Sequence, residues 1–307
     1  MALDTYGKLW RKVLLRCPSA GQGLARDWIN NAFRRIAERR DWSWLHKRGQ
    51  FLTVDVYSTG TASVTHNSTT VTGTDTVWTA AMVGRQFKVA DSPIYTIDSF
   101  TNATTIELDD EFGGDTDATS SYQIYKCYMD VPTDFHSFIS LWDTQDNKVI
   151  NYVTTQAELN ARDPERTHTG EVFTAAFLDY IVPSGQTVSV PRYELWPHKT
   201  SQAVYAYLYE ARPTDLEDSG AYLPRYIHGD VLVEMALEQA ALWPGLSDKP
   251  NPYFNRDLAR HHASRAEQLI MERERQDEEV MVSNVNYTYD NVTYIGDSDW
   301  MQKHSLI

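Results

Sequence analysis

A chain of 307 residues with 42% apolar and 23% charged residues is long enough for two compact domains and has the composition of ordinary globular proteins. No apolar run approaches the roughly 20 residues that span a bilayer, so no membrane partner is expected. Two cysteines, Cys17 and Cys127, are too few for a disulfide framework or a zinc site. The net charge of −14 argues against a dedicated duplex-binding domain.

That charge is unevenly placed. Residues 1–50 hold eleven Lys/Arg against four Asp/Glu, so the acidic excess lies in residues 51–307. A chain polarised in this way can attract copies of itself head to tail. The start, Met1 to Lys12, lacks the order of a secretory signal. The Asn-x-Ser/Thr sites at Asn67, Asn102, Asn286 and Asn291 therefore read as turn and strand polarity.

The first 47 residues predict two helices. Leu9 and Val13 sit four apart in the first, which Pro18 ends. In the second, with Ser19 as its cap, Leu24, Trp28, Ala32 and Ile36 recur every four residues. Its other face carries Arg26, Arg34 and Arg35, followed by Arg39 and Arg40 and the anchoring pair Trp42 and Trp44.

From Phe51 to Lys126 the period falls to two, the mark of half-buried strands. Leu52, Val54 and Val56 alternate with polar residues, as do Phe87 and Val89, Tyr95 and Ile97, and Ile106 and Leu108. Gly60, Asn67, Gly73, Gly84, Asn102 and Gly113-Gly114 punctuate them. This predicts an inserted all-β sandwich or barrel domain over 51–126, with Trp78 plugging its end.

Beyond Tyr128 the pattern is mixed. Tyr205, Tyr207 and Tyr209 share one face of a strand, with the segments Phe177 to Val182 and Tyr193 to Trp196 as neighbours. Pro224 precedes a helix over about Arg225 to Leu242, closed by Pro244-Gly245. A last helix is predicted from Phe254 to Met281, with Leu258, Ala266, Leu269 and Ile270 as its apolar stripe. Asp277, Glu278 and Glu279 would then stand at the negative end of the helix dipole. The expected remedy is the arginine face of helix two in a neighbouring copy, making Arg34, Arg35, Arg39, Arg40, Asp277, Glu278 and Glu279 the subunit interface of a ring. Residues 283–307 lack helical period and predict an extended arm whose aromatics supply contact area, with strand addition to a partner open to the Asn286 to Tyr294 stretch.

Reactive chemistry is not evident. There is no Gly-rich phosphate loop and no His-Glu-x-x-His. His261 and His262 are adjacent on a helix, so their rings diverge by about 100° and cannot share a metal. The acidic run Asp109 to Asp117 departs from the EF-hand spacing and reads as a turn. The expectation is no catalytic residue, no metal and no cofactor.

Three stretches resemble phage head-to-tail adaptor proteins. These are Tyr193-Glu194-Leu195-Trp196-Pro197 with the Tyr-rich strand Tyr205 to Pro213, then Leu223-Pro224-Arg225-Tyr226-Ile227-His228 leading into Gly229 to Leu237, and the opening Trp28-Ile29-Asn30 to Trp42-Ser43-Trp44. The block with Gly73-Thr74-Asp75-Thr76-Val77-Trp78 and Gly84-Arg85-Gln86-Phe87 is similar to a small β module of virion proteins. The expected fold is α+β: a helical and mixed adaptor core over 1–50 and 127–282, with the N-terminal helix pair, two C-terminal helices and a small antiparallel sheet.

The resemblance implies a virion protein at the neck, made in the host cytoplasm, forming a ring of usually about twelve copies between portal and tail. Tail tube, nozzle or tail-fibre proteins would be its downstream partners. Double-stranded DNA would pass through the lumen without tight phosphate binding. The 283–307 arm would engage portal through Tyr287, Tyr289, Tyr294 and Trp300. A second reading is a receptor- or glycan-binding virion module, with the Thr/Ser-rich β domain carrying specificity.

Overall fold

A computed structural model describes residues 5–90, 92–182, 186–220, 222–223 and 227–294, with the side chains of 282–294 excepted. The chain divides into two compact units, Met1–His46 with Arg212–Ile307, and Lys47–Ala211.

Among its described residues the first unit holds four α-helices: α1 (Tyr6–Arg16), α2 (Gly21–Ala37), and, after the α3 helix (Gln156–Arg162) of the other unit, α4 (Gly229–Leu242) and α5 (Arg256–Tyr294). Helix α4 is apolar nearly all round, burying Val231, Leu232, Met235, Ala236, Leu237 and Ala240. Such a helix must be enclosed, and α1, α2 and α5 all pack on it. Helix α2 begins later than the sequence predicts. Ala20 is its N-cap, because the Ser19 hydroxyl is turned to Asn251 Oδ1 at 3.3 Å. Asn251 is buried and caps the end of α4, donating to the carbonyls of Ala240 at 2.9 Å and Trp243 at 2.7 Å. The Trp42 indole anchors the end of α2 by donating to the Ile36 carbonyl at 2.7 Å.

The second unit is β-rich. Its strands are β1 (His46–Leu52), β2 (Thr61–Val64), β3 (Thr70–Thr74), β4 (Gln86–Val89), β5 (Tyr95–Asn102), β6 (Thr105–Leu108), β7 (Asp117–Ser120), β8 (Tyr122–Tyr125), β9 (Tyr128–Asp130), β10 (Phe135–Asp143), β11 (Lys148–Val149), β12 (Asn151–Thr154), β13 (Thr174–Ile181), β14 (Val190–Trp196) and β15 (Val204–Ala211); the two-residue strands β16 (Gly245–Leu246) and β17 (Lys249–Pro250) belong to the first unit. Strands β2 to β8 form one seven-stranded sheet in the order β7-β2-β3-β6-β5-β4-β8, curled as a half-barrel. Its hollow is filled by Val71, Trp78, Phe87, Ile97, Ile106 and Ile124. The Trp78 indole donates to the Tyr122 hydroxyl at 2.9 Å, so its one polar atom is satisfied where it is buried.

Two four-stranded sheets, β1-β15-β10-β11 and β12-β13-β14-β9, share a separate core of Phe51, Met129, Phe138, Leu141, Leu195 and the β15 tyrosines. Strand β15 alternates as its sequence requires, with Tyr205, Tyr207 and Tyr209 buried and the residues between them half-buried. Gly49 on β1 lies so close under the Tyr207 ring that a Cβ there would stand 2.2 Å from it.

The expected fold class is overturned. The structure is mostly β with helices rather than a helical adaptor core carrying a small sheet, and the expected sandwich or barrel over 51–126 is an open curled sheet. Residues 127–211, assigned to the helical and mixed adaptor core, hold seven strands and the seven-residue α3 among their described residues. The physical reason is that short strands with bulges, such as the register shifts of β10 against β15, break strict alternation and hide their period. An open sheet, a sandwich and a barrel also share the same period of two, so alternation cannot separate them.

Candidate functional site

A run of exposed apolar side chains in the second unit follows the β13–β14 hairpin. Strand β13 buries Thr174, Ala175 and Ala176, then turns outward where a register shift interrupts its pairing between Phe177 and Asp179. Phe177 and Tyr180 are 40% and 67% exposed, and Val182 and Val188 at the strand ends are 58% and 50% exposed. The rings of Phe177 and Tyr180 lie 5.2 Å apart. Phe177 also meets Tyr193 at 6.0 Å, and Tyr193 touches the core ring Phe138 at 4.8 Å. An aromatic line therefore runs from core to solvent. Beside it, Arg192 grips Asp179 through two nitrogens at 3.0 and 2.6 Å, which fixes the hairpin.

A second feature is a concavity of about 520 Å³ lined by Ser58, Gly60, Lys88, Ala90, Ser121, Tyr122, Gln123, Arg166, Thr167, Thr169 and His198. Its floor is built by the loop after α3, a helix begun by a capping box in which Thr155 and Glu158 each accept the other's backbone N–H. Asp163 ends that helix and accepts from the Trp196 indole at 2.9 Å and from the backbone N–H of Thr167 and His168 at 2.9 and 3.0 Å. Burial alone would raise its pKa, but these donors outweigh burial and hold the carboxyl well below the usual range. Arg166 has left-handed backbone at φ 52°. Its guanidinium is held by Glu194 at 2.6 Å, Asn160 at 2.7 Å and Gln156 at 3.0 Å. His198 stacks on Tyr125 at 4.4 Å. Burial, and then the Lys88 charge, depress its pKa, so its ring is neutral at pH 7.

A third cluster has metal-ligand chemistry. Oxygens of Asp143, Asp146 and Glu171 lie within 4.8 Å of one another. The Lys199 ammonium stands among them at 3.6, 3.0 and 2.6 Å, where a hard cation would sit; burial alone would lower its pKa, but the hydrogen bonds to Glu171 and Asp146 and the charge of Asp143 push it up.

The sequence-predicted interface residues are drawn into contacts within the chain. Arg39 reaches Glu267 at 2.6 Å and Glu274 at 2.7 Å, Arg40 reaches Glu278 at 3.2 Å, Arg35 reaches Glu238 at 3.4 Å and Arg34 reaches Asp215 at 3.4 Å. Asp277 is fully buried and accepts from the backbone N–H of Ser43 at 3.1 Å and from its hydroxyl. Glu279 is exposed. The expected dipole problem is absent: α5 runs to Tyr294, so these carboxylates are mid-helix, away from the carbonyls of the last turn.

The expected extended arm is likewise helical as far as Tyr294, since a nucleated helix extends at small cost per residue. Tyr287, Tyr289 and Tyr294 lie in those last turns with side chains outside the described residues, and Trp300 lies outside them altogether.

Sequence reasoning missed the role of His262. It is buried, with Nδ1 2.6 Å from Glu234 and Nε2 2.7 Å from the Tyr253 hydroxyl. The only sequence signal was its place on the stripe of Ala259, Ala266 and Ile270, all buried. No helix among the described residues is long and apolar enough to cross a membrane. No protein-family model matches the chain, and no curated protein matches it in sequence.

Proposed function

We propose that the chain is a structural protein of a tailed-phage particle, a head-to-tail adaptor that assembles in copies as a ring between portal and tail and works without a catalytic step. The observation that carries this reading is the exposed β13–β14 hairpin with Phe177, Tyr180, Val182 and Val188. Apolar surface gathered in this way marks a site that another protein covers, and rigid aromatics supply most of the energy of such contacts. The occupant is a second copy of the chain, seated against the hairpin in a head-to-tail contact that closes on itself.

Two further features support the reading. One of the three stretches that carry the resemblance to adaptor proteins, Tyr193 to Pro197 with the β15 strand, belongs to this same pair of sheets. Helix α5 has 39 residues, roughly 58 Å at 1.5 Å each. It continues about 25 Å past Asp277, the last buried position among its described side chains. A helix of that length is marginal alone, and portal is the partner this end engages. Labelling the chain in intact particles and imaging them by cryo-electron microscopy tests the assignment. Density in a ring at the neck is the expected result, and density confined to fibres or to the capsid surface would overturn it.

A further inference from the structure

The concavity at Lys88 and His198 is not used by the assembly reading, and its walls have a definite chemistry. The groups that line it come from the end of β4, the start of β8, the segment before β2, the loop after α3 and the residue two beyond β14. They are of two kinds. Lys88, Arg166 and His198 bring nitrogen. Ser58, Ser121, Thr167 and Thr169 bring aliphatic hydroxyls, and Gln123 a carboxamide.

No carboxylate lines it among the described residues, although the chain has 42 Asp/Glu against 28 Lys/Arg. Of the acids nearby, Glu165 is exposed and is not among the lining groups, and two others are held in contacts within the fold. Asp163 is spent on Trp196 and the loop backbone, and Glu194 on Arg166. Arg166 is thereby a positioning residue, which holds the loop that presents Thr167 and Thr169.

Lys88 is different. It is 7% exposed, and its ammonium donates to the backbone carbonyl of Glu165 with no carboxylate in ion-pair range among the described residues. An ammonium has three N–H donors, so two have no acceptor among the described residues, and Lys88 lines the concavity, where an anion would be a strong partner for it.

A volume of about 520 Å³ falls in the range of small-molecule sites and far exceeds what a bare oxyanion fills. Beside Gly60, Ala90 and the Tyr122 ring, the lining residues are polar, where lipid and drug-like sites are lined mainly by apolar ones. The wall's hydroxyls and carboxamide match a ligand that offers many hydroxyls of its own.

We propose that this concavity binds a sugar carrying an oxyanion, with the carboxylate or phosphate on Lys88 and the ring hydroxyls on Ser58, Ser121, Gln123, Thr167 and Thr169. Such a site would let the particle engage acidic saccharides, and it does not depend on ring formation.

The test is calorimetric titration of the full-length chain with glucuronic acid, glucose 6-phosphate, glucose and inorganic phosphate. At least one acidic sugar is expected to bind, at least about tenfold more tightly than glucose and than inorganic phosphate; the preferred acid identifies the oxyanion. Lys88→Met should weaken binding by about tenfold or more, and Lys88→Arg should retain it. If Lys88→Met does not fold, as judged by circular dichroism, Thr169→Val and amide shift mapping of the native chain take its place. Shifts at Thr167, Thr169 and His198 are expected, together with weaker binding by Thr169→Val. Absence of binding by both acidic sugars at millimolar concentration, equal binding of glucose, equal binding of phosphate alone, or shifts confined to other surfaces would each overturn the proposal.

Discussion

Phe177 and Tyr180 stand with ring centroids 5.2 Å apart at the outward turn of β13, both open to solvent. They contact each other and, through Phe177, Tyr193, so the pair is rigid before any partner arrives. A preformed aromatic surface loses little rotamer freedom on association. Tyr180→Asp should abolish self-assembly while changing unfolding free energy by about 0.5 kcal/mol or less, as expected for an exposed position; Phe177→Asp should abolish it too, at a larger cost in stability because Phe177 also packs on Tyr193. Sedimentation velocity and urea denaturation on the same variants separate the two effects.

The Arg39 pairs with Glu267 and Glu274 are intramolecular ties between α2 and α5. Arg39 is one-third exposed, so solvent screens them and their joint contribution is about 1 kcal/mol. Arg39→Glu should lower stability by that order. Combining it with Glu267→Arg and Glu274→Arg should recover most of the loss in the isolated chain, with no requirement for assembly. Chemical denaturation at low and high salt reads both points, and the high-salt difference should be smaller.

His262 links Glu234 on α4 to Tyr253. Its removal strands a largely buried carboxylate that keeps, among the described residues, Arg265 at 3.3 Å as its charged partner. His262→Ala should therefore cost about 2–3 kcal/mol, more than an ordinary surface change. His262→Gln, which can still donate, should cost less. Urea midpoints with unchanged slopes would establish that the effect is on stability.

Acid should weaken the second unit in two steps. His198 is depressed by burial and by Lys88, so the unfolded chain takes up a proton first, and stability falls as pH drops through about 6.5. Asp163 is depressed by its hydrogen bonds despite burial; its contribution is full above the unfolded value of about 3.9 and fades as pH falls below it. His198→Phe keeps a ring on Tyr125 and should flatten the upper step. Asp163→Asn should flatten the lower one. Denaturation midpoints measured between pH 3 and 8 would contradict this if both slopes survived the substitutions.

What the sequence made legible was local. The β15 tyrosines declared their shared face because a strand's period is carried by its own residues, and α2 declared its packing face through Trp28, Ala32 and Ile36 in the same way. Partners far along the chain were hidden. Nothing near Asp277 announces that Ser43, 234 residues away, would bury it, so its charge read as a surface feature. His262 was obscured because Glu234 lies a helix away. The concavity was invisible for a related reason: Lys88 and His198 come from segments whose meeting depends on how the curled sheet and the α3 loop fold, and no spacing records that. The extent of α5 was misjudged because Asn, Thr and Val after Val280 are weak helix formers, while propagation from an existing helix overrides them.

The central claim is that copies of this chain fit together through the β13–β14 surface. Mass photometry of the purified chain, alone and mixed with portal rings, tests it most directly. A single closed oligomer, formed alone or on portal and lost in the Tyr180→Asp variant, is the predicted result. A monomer under both conditions, or an oligomer that Tyr180→Asp leaves intact, would contradict it.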